Sequence, residues 1–356
     1  MDPVQLHQDA WSEFENGGSS AAAEMLLRAA EIFQAEDGAD SIDAANMHVD
    51  RAIMLEQACQ YGEACEAARS ALAILVRHND RDNETLVRLE VRAHGLLSMS
   101  LRCLGRFAEA RAEIHECVSV AERKAGKRHT LTASAWIGVG MFCKYSGEFD
   151  AAEAAYASAM EIVEAIDGRD SPAMAVIYHN LGGLSHARGR FQEGIPWARK
   201  AWEINAAAFG EESAEAISDA VALAALLDEA GPSEESERIY RQALRVWTKL
   251  HGPGHYETAS TRHNLAALRR DMGDAAEAET LFREAYESKL AILGAASPDT
   301  ALSAICLAQL LDERGALAEA LRLAESAMAA YRSNCEPSHP ERVACEKLVR
   351  GMKKRQ

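Results

Sequence analysis

The sequence predicts an all-α fold, an alpha-alpha superhelix of about eight helical hairpins finished by a C-terminal capping helix. Three observations lead there. Gly105, Gly147, Gly189, Gly231, Gly273 and Gly315 recur at a single interval of 42 residues. Other columns keep the same interval: Glu109, Glu193, Glu235, Glu277 and Glu319, broken by Ala151, and Ala159, Ala201, Ala243, Ala285 and Ala327. Between the glycines, apolar residues advance by steps of three and four, the period of an amphipathic helix. A fixed period of this length marks an array in which each unit buries its apolar side on its neighbours.

The elements follow in order. Residues 3–36 suggest a hairpin hinged near Asn16-Gly17, and residues 45–80 a second, with Ala64, Ala67, Ala71 and Leu75 along its second helix. Gly62, 43 residues before Gly105, is the expected hinge glycine of that second hairpin. These two are divergent, as terminal repeats usually are. Residues 83–334 hold six regular repeats, and residues 335–356 the cap, giving three segments: 1–82, 83–334 and 335–356.

Residues 255–294 show the regular unit. Ala259, Leu265, Ala266 and Leu268 form one apolar stripe and Ala278, Leu281, Phe282, Ala285, Tyr286 and Leu290 another. Gly273 lies between them, where a helix C-terminus calls for positive φ, and Asp274 follows as an N-cap. The joints between units repeat as well: His129-Thr130, Ser171-Pro172, Ser213-Ala214, His255-Tyr256, Ser297-Pro298 and His339-Pro340. Ser caps a helix start, and Pro just inside one removes only a donor that had no partner. The histidines at these joints read as linker and capping residues. The last helix, 338–353, presents Val343, Leu348 and Val349.

Composition narrows the function classes. The formal charge of −17 repels phosphate backbones and anionic membranes, so neither nucleic acid nor membrane is the expected partner. No run reaches 18 apolar residues, and the acidic N-terminus lacks a signal-peptide core. The eight cysteines form no close pair and suit buried thiols in a reducing compartment, so a cytoplasmic location is expected.

The segment Thr261–Tyr286 resembles the tetratricopeptide repeats of the kinesin light chain type, and a bacterial source is expected. Asn264-Leu265-Ala266, Gly273, Glu277-Ala278 and Ala285 carry the resemblance, as do Asn180-Leu181-Gly182, Gly189, Glu193, Pro196 and Ala201. It covers residues 83–334. The resemblance implies first helices lining a groove that takes extended peptides or partner domains, with the asparagine before the leucine holding a ligand's backbone. Hairpins three, four, six and eight have Leu96, Gly138, Ala222 and Cys306 in place of that asparagine, so a short clamp is expected rather than a long regular one.

The expected function is therefore a non-catalytic protein- or peptide-binding scaffold or adaptor, with no cofactor and no metal. A receptor for a peptide or small-molecule signal is the alternative, and an enzyme with a groove active site stands third. No HExxH, phosphate loop, GxSxG or zinc-cysteine pattern occurs. The candidate binding residues are Asn180, Asn264, His179, His263, His186, Asp228, Arg270 and Trp136. Amides donate and accept, as an extended backbone requires. The competing reading makes the asparagines staples between hairpins. Asp228, Glu229 and Asp271 suggest a ligand bearing Lys or Arg, whereas Met99, Arg102, Met141, Lys144 and Tyr145 make the middle of the groove more apolar and basic.

Overall fold

The computed structural model describes residues 2–15, 18–78, 83–334 and 340–355. Among them are 17 α-helices and no strand. The backbone groups into two compact units, Met1–Ala187 and Arg188–Gln356. The hinge expected at Asn16-Gly17, the cysteine Cys335 and the joint residue His339 lie outside the described residues.

The first unit runs α1 (Pro3–Glu15), α2 (Ser19–Asp37), α3 (Ile42–Gln57), α4 (Tyr61–Leu75), α5 (Glu84–Cys103), α6 (Phe107–Lys124), α7 (Thr130–Tyr145), α8 (Phe149–Ile166) and α9 (Pro172–Ala187). Each helix packs on the next, and α3, α5, α7 and α9 also touch in succession, so these first helices make one continuous face. The second unit runs α10 (Phe191–Phe209), α11 (Ala214–Ala230), α12 (Glu234–His251), α13 (Tyr256–Asp271), α14 (Ala275–Leu293), α15 (Pro298–Glu313), α16 (Leu317–Asn334) and α17 (Pro340–Lys353), again packed in order. Here α11 touches α13 directly.

The hinges at Gly105, Gly147, Gly273 and Gly315 repeat one set of hydrogen bonds. Gly273 takes φ 89°, its N–H donates to Arg270 O at 2.9 Å, and the N–H of Asp274 reaches back to Arg269 O at 2.9 Å. This is the closing pattern of a Schellman-type C-cap. Asp274 then caps α14 by accepting from Glu277 N at 3.1 Å. Two hinges depart from the rule. At Gly231 the next residue is Pro232, which has no N–H to send back; the chain opens instead, Gly231 takes φ 143°, and Ser233 starts α12 with a capping box.

The other departure corrects an expectation. Gly62 is not a hinge; it lies inside α4. The left-handed slot belongs to Cys59, at φ 58° the one non-glycine residue with positive φ among the described residues. Its neighbours make the same bonds, Cys59 N to Glu56 O and Gln60 N to Leu55 O. The side chain there costs roughly 1–2 kcal/mol that glycine avoids.

The joints behave as expected at His129 and His255, whose Nδ1 atoms accept from Leu131 N and Glu257 N, and at Ser171 and Ser213, which accept from Met174 N and Ala216 N. Ser297 makes no side-chain cap, and Pro298 opens α15 instead. The core is built from alanine columns with bulky fillers. Ala278, Phe282 and Ala285 are fully buried, and a buried phenylalanine contributes about 1.5–3 kcal/mol. At the C-terminus, Cys345, Val349 and Met352 of α17 enter the same apolar cluster as Leu310, Leu311 and Tyr331, with Leu323 and Leu348 packed against it. Lys353 pairs with Glu325 at 2.6 Å, and Arg355 bonds Asp312.

Candidate functional site

In the first unit the C-terminal ends of α5 and α7 lie side by side and bring two cations to one ring. The guanidinium of Arg102 sits 4.7 Å from the centroid of Tyr145, and the ammonium of Lys144 sits 4.6 Å from the same centroid. Tyr145 itself is 55% exposed. Arg102 otherwise meets sulfur: its Nε and Nη2 point at Met99 Sδ at 3.3 and 3.2 Å, and Nη2 at Cys103 Sγ at 3.3 Å. Lys144 is largely desolvated, which lowers its pKa from the usual lysine value. Opposite it, a side chain on Gly183 of α9 would begin 3.4 Å from Nζ, so the bare backbone leaves the ammonium room.

Neither cation has a carboxylate within ion-pair distance among the described residues. Glu56 of α3 feels the charge of Arg102, and burial pushes its carboxyl up to about 7 against the pull of that guanidinium. Many other bases are paired, as in Arg106–Glu109 at 2.6 Å and Arg169–Glu164 at 2.5 Å. A desolvated charge without its counter-ion costs free energy, which a bound anion would recover.

The sequence-derived candidates divide between the units. Trp136 on α7 is half-buried, as is His179 on α9, while His186 near the end of α9 is exposed. Asn180 is buried at 8% exposure. Its Nδ2 donates to Val176 O at 2.8 Å, and its Oδ1 accepts from the Tyr156 hydroxyl at 3.5 Å. Its polar atoms thus serve its own helix and α8, which is the arrangement of a staple.

Asn264, Asp228, Arg270 and His263 belong to the second unit. Asn264 is half-exposed, and its amide makes no hydrogen bond among the described residues. His263 sits against Ser303 Oγ at 3.1 Å and against the Phe282 ring edge, and burial drives its pKa down to about 4. It is a neutral link from α13 to α15. Asp228 at the end of α11 is pushed up to about 6, first by burial, then by Asp271 and Glu229, with Arg270 opposing. Arg270 spends its Nε on Asp271 at 3.0 Å. Asp228, Arg270 and Asp271 therefore do gather across α11 and α13.

Sequence reading overlooked two columns. Gly126, Gly168, Gly210, Gly252 and Gly294 all take positive φ where second helices end, again 42 residues apart. The glutamate column has an arginine counterpart: Arg199 meets Glu235 at 3.0 Å, Arg241 meets Glu277 at 2.9 Å, and Arg283 meets Glu319 at 2.6 Å. These pairs link successive second helices, so the glutamates belong to the architecture. Their signal was present as a fixed Arg-to-Glu offset of 36 residues. Among the described residues, no group of three or more His, Cys, Asp or Glu is placed to hold a metal ion, and no helix is long and apolar enough to cross a membrane.

A family model described as tetratricopeptide repeat matches residues 89–165, 131–206, 220–291 and 263–333, together more than half of the chain. Comparison with curated proteins by sequence gives no match. Among solved structures, the chain is similar to BtubC (BKLC) from P. vanneervenii, with 21% identity over 67% of this chain and 94% of that one, at a TM-score of 0.53. A Rap protein complexed with Competence and Sporulation Factor aligns over 88% of both chains, with 14% identity and a TM-score of 0.58. The Rap conjugation gene regulator of plasmid pLS20, in complex with the Phr* peptide, aligns over 81% of this chain and 75% of that one, with 16% identity and a TM-score of 0.51.

Proposed function

Since this chain belongs to the tetratricopeptide-repeat family, we propose that it is a polypeptide-binding scaffold or adaptor whose first unit anchors an acidic group of the bound peptide between Arg102 and Lys144. The observation that carries this reading is the pair of cations stacked on Tyr145 without a carboxylate partner among the described residues. A carboxylate placed there accepts charge-assisted hydrogen bonds from both, each contributing about 1.5–3 kcal/mol. Met99 and Tyr145 supply apolar and aromatic surface beside the charge, the composition of an interaction hot spot. Two structural neighbours were solved with a factor or a peptide bound, which supports a peptide as the ligand class.

The second unit favours a different side chain. Asp228, Glu229 and Asp271 crowd one another, and a Lys or Arg beside Asp228 would relieve the repulsion that holds its carboxyl up. The amide of Asn264, half-exposed and making no hydrogen bond among the described residues, lies on the neighbouring α13 and is the backbone-holding contact in this reading. Asn180, occupied by Tyr156, is assigned to stability.

Selection of a random peptide library on the immobilised full chain tests the proposal. Enriched sequences are expected to carry Asp or Glu at a fixed position, and the enrichment is expected to vanish on an Arg102→Gln/Lys144→Gln bait of unchanged helicity. The same acidic consensus recovered from that bait would contradict the assignment.

A further inference from the structure

Lys144 stands apart from the paired lysines of the chain. Lys124, Lys249 and Lys353 each meet a carboxylate, at 2.5, 2.8 and 2.6 Å, which favours the charged ammonium. Lys289 is desolvated, yet at 3% exposure it is closed off from solutes. Lys127 is exposed and keeps its hydration. Lys144 is half-buried, without a carboxylate partner among the described residues, and its Nζ shares the Tyr145 ring with the Arg102 guanidinium. The exposed ring opens this pair to solution, and the bare backbone of Gly183 leaves room at Nζ. Desolvation works against the ammonium, so Lys144 gives up its proton more readily than a hydrated lysine.

We infer that Lys144 is a modification site, acylated by an acyl phosphate that docks its phosphate on Arg102. A guanidinium offers the paired donors that a phosphate accepts. An acyl phosphate held there presents its carbonyl carbon to the neighbouring amine. The neutral amine of Lys144 attacks that carbon. The bond from the carbon to the phosphate oxygen breaks, phosphate leaves with the bonding pair, and the nitrogen loses a proton to solvent. The products are an amide and inorganic phosphate, and nothing is oxidised or reduced. Acylation removes the charge of Lys144, so it also switches off the anion anchor proposed above. That regulatory consequence rests on the peptide-binding reading; the acylation itself does not.

Acetyl phosphate is the probe. The full chain is incubated with it and digested, and acetyl occupancy at Lys144, Lys127 and Lys289 is followed over time by mass spectrometry. Lys144 is expected to react at least about tenfold faster than Lys127, a modest gain for an amine beside a bound reactant, while Lys289 stays unmodified. Inorganic phosphate should slow the reaction at Lys144 and leave Lys127 unchanged. Arg102→Gln should remove the advantage of Lys144, and Arg102→Lys should restore part of it. Neither variant should slow acetylation of Lys144 by p-nitrophenyl acetate, which carries no phosphate. Lys144 acetylated no faster than Lys127, or as fast in Arg102→Gln as in the unaltered chain, would overturn the inference. No peptide enters this measurement, so failure of the anchor reading would leave its outcome unchanged.

Discussion

Tyr156 of α8 and Asn180 of α9 are joined by a hydrogen bond from the phenol to the amide oxygen, 3.5 Å long and fully enclosed. Gly140 of α7 faces the same ring so closely that a Cβ there would stand 2.3 Å from Tyr156 Cε1. One buried ring therefore fits against α7 and bonds to α9. Asn180→Ala is expected to lower stability by about 0.5–1.5 kcal/mol, and Gly140→Ala by about 1–3 kcal/mol through overpacking. Urea unfolding of the two single variants and the double variant checks both values. Strict additivity would show that the Gly140 change leaves the Tyr156–Asn180 bond intact, contrary to expectation.

The hinge geometry sets a second expectation. Gly273→Ala forces a Cβ into φ 89° and is expected to cost about 1–2 kcal/mol. Cys59→Gly relieves the same strain at φ 58°, at the expense of greater freedom in the unfolded chain. It is therefore expected to be neutral or stabilising by up to about 1 kcal/mol. Thermal melts should fall for Gly273→Ala and hold or rise for Cys59→Gly.

Much of the fold was legible because its constraints are periodic and local. A hinge that needs positive φ restricts the residue almost to glycine, so six hinges print one column. The second hairpin escaped because Cys59 occupies the slot and the following repeat is longer: α5 has 20 residues where α7 has 16. The count from Gly105 back to Gly62 landed inside α4. The site was less legible, since it depends on what is missing around a side chain. Arg102 and Lys144 stood out as basic, yet only the packing shows that no carboxylate among the described residues pairs with them. The two asparagines share a register, and Tyr240 repeats Tyr156 at the same offset of 84 residues. The structure nevertheless closes the bond at Asn180 and leaves the amide of Asn264 open.

Stability should depend on pH at both ends. His48 and His263 are held neutral in the fold, each down to about 4 from 6.5. Below 6.5 the unfolded chain takes up protons that the fold refuses, so stability falls as pH drops from 6.5 toward 4. Glu56 and Asp228 work the other way, raised from 4.5 to about 7 and from 3.8 to about 6. There the fold keeps protons the unfolded chain has lost, so these two groups lower stability as pH rises from 3.8 to about 6 and from 4.5 to about 7, opposing the histidines until about 6.5 and prevailing above it. Urea midpoints measured from pH 4 to 8 should pass through a maximum. Glu56→Gln should flatten the neutral limb and His263→Gln the acid limb.

The last helix closes the apolar cluster of the second unit. Deleting residues 335–356 removes Cys345, Val349 and Met352 from Leu310, Leu311 and Tyr331. Exposed surface of this kind promotes association. Light scattering during a thermal ramp is expected to show aggregation at a lower temperature than in the full chain. Equal behaviour of the two would mean that α17 is not a cap.

The most direct measurement is the affinity of a library-selected acidic peptide for the full chain, the Arg102→Gln/Lys144→Gln variant and the Asn180→Ala variant, followed by fluorescence anisotropy at two salt concentrations. The double cation variant is expected to bind at least about tenfold more weakly, equivalent to the loss of about 1.4 kcal/mol. Added salt should weaken the unaltered chain more than the variant, and Asn180→Ala should bind as the unaltered chain does while melting earlier. Affinity unchanged by the loss of both cations would contradict the proposal that Arg102 and Lys144 await an anionic partner.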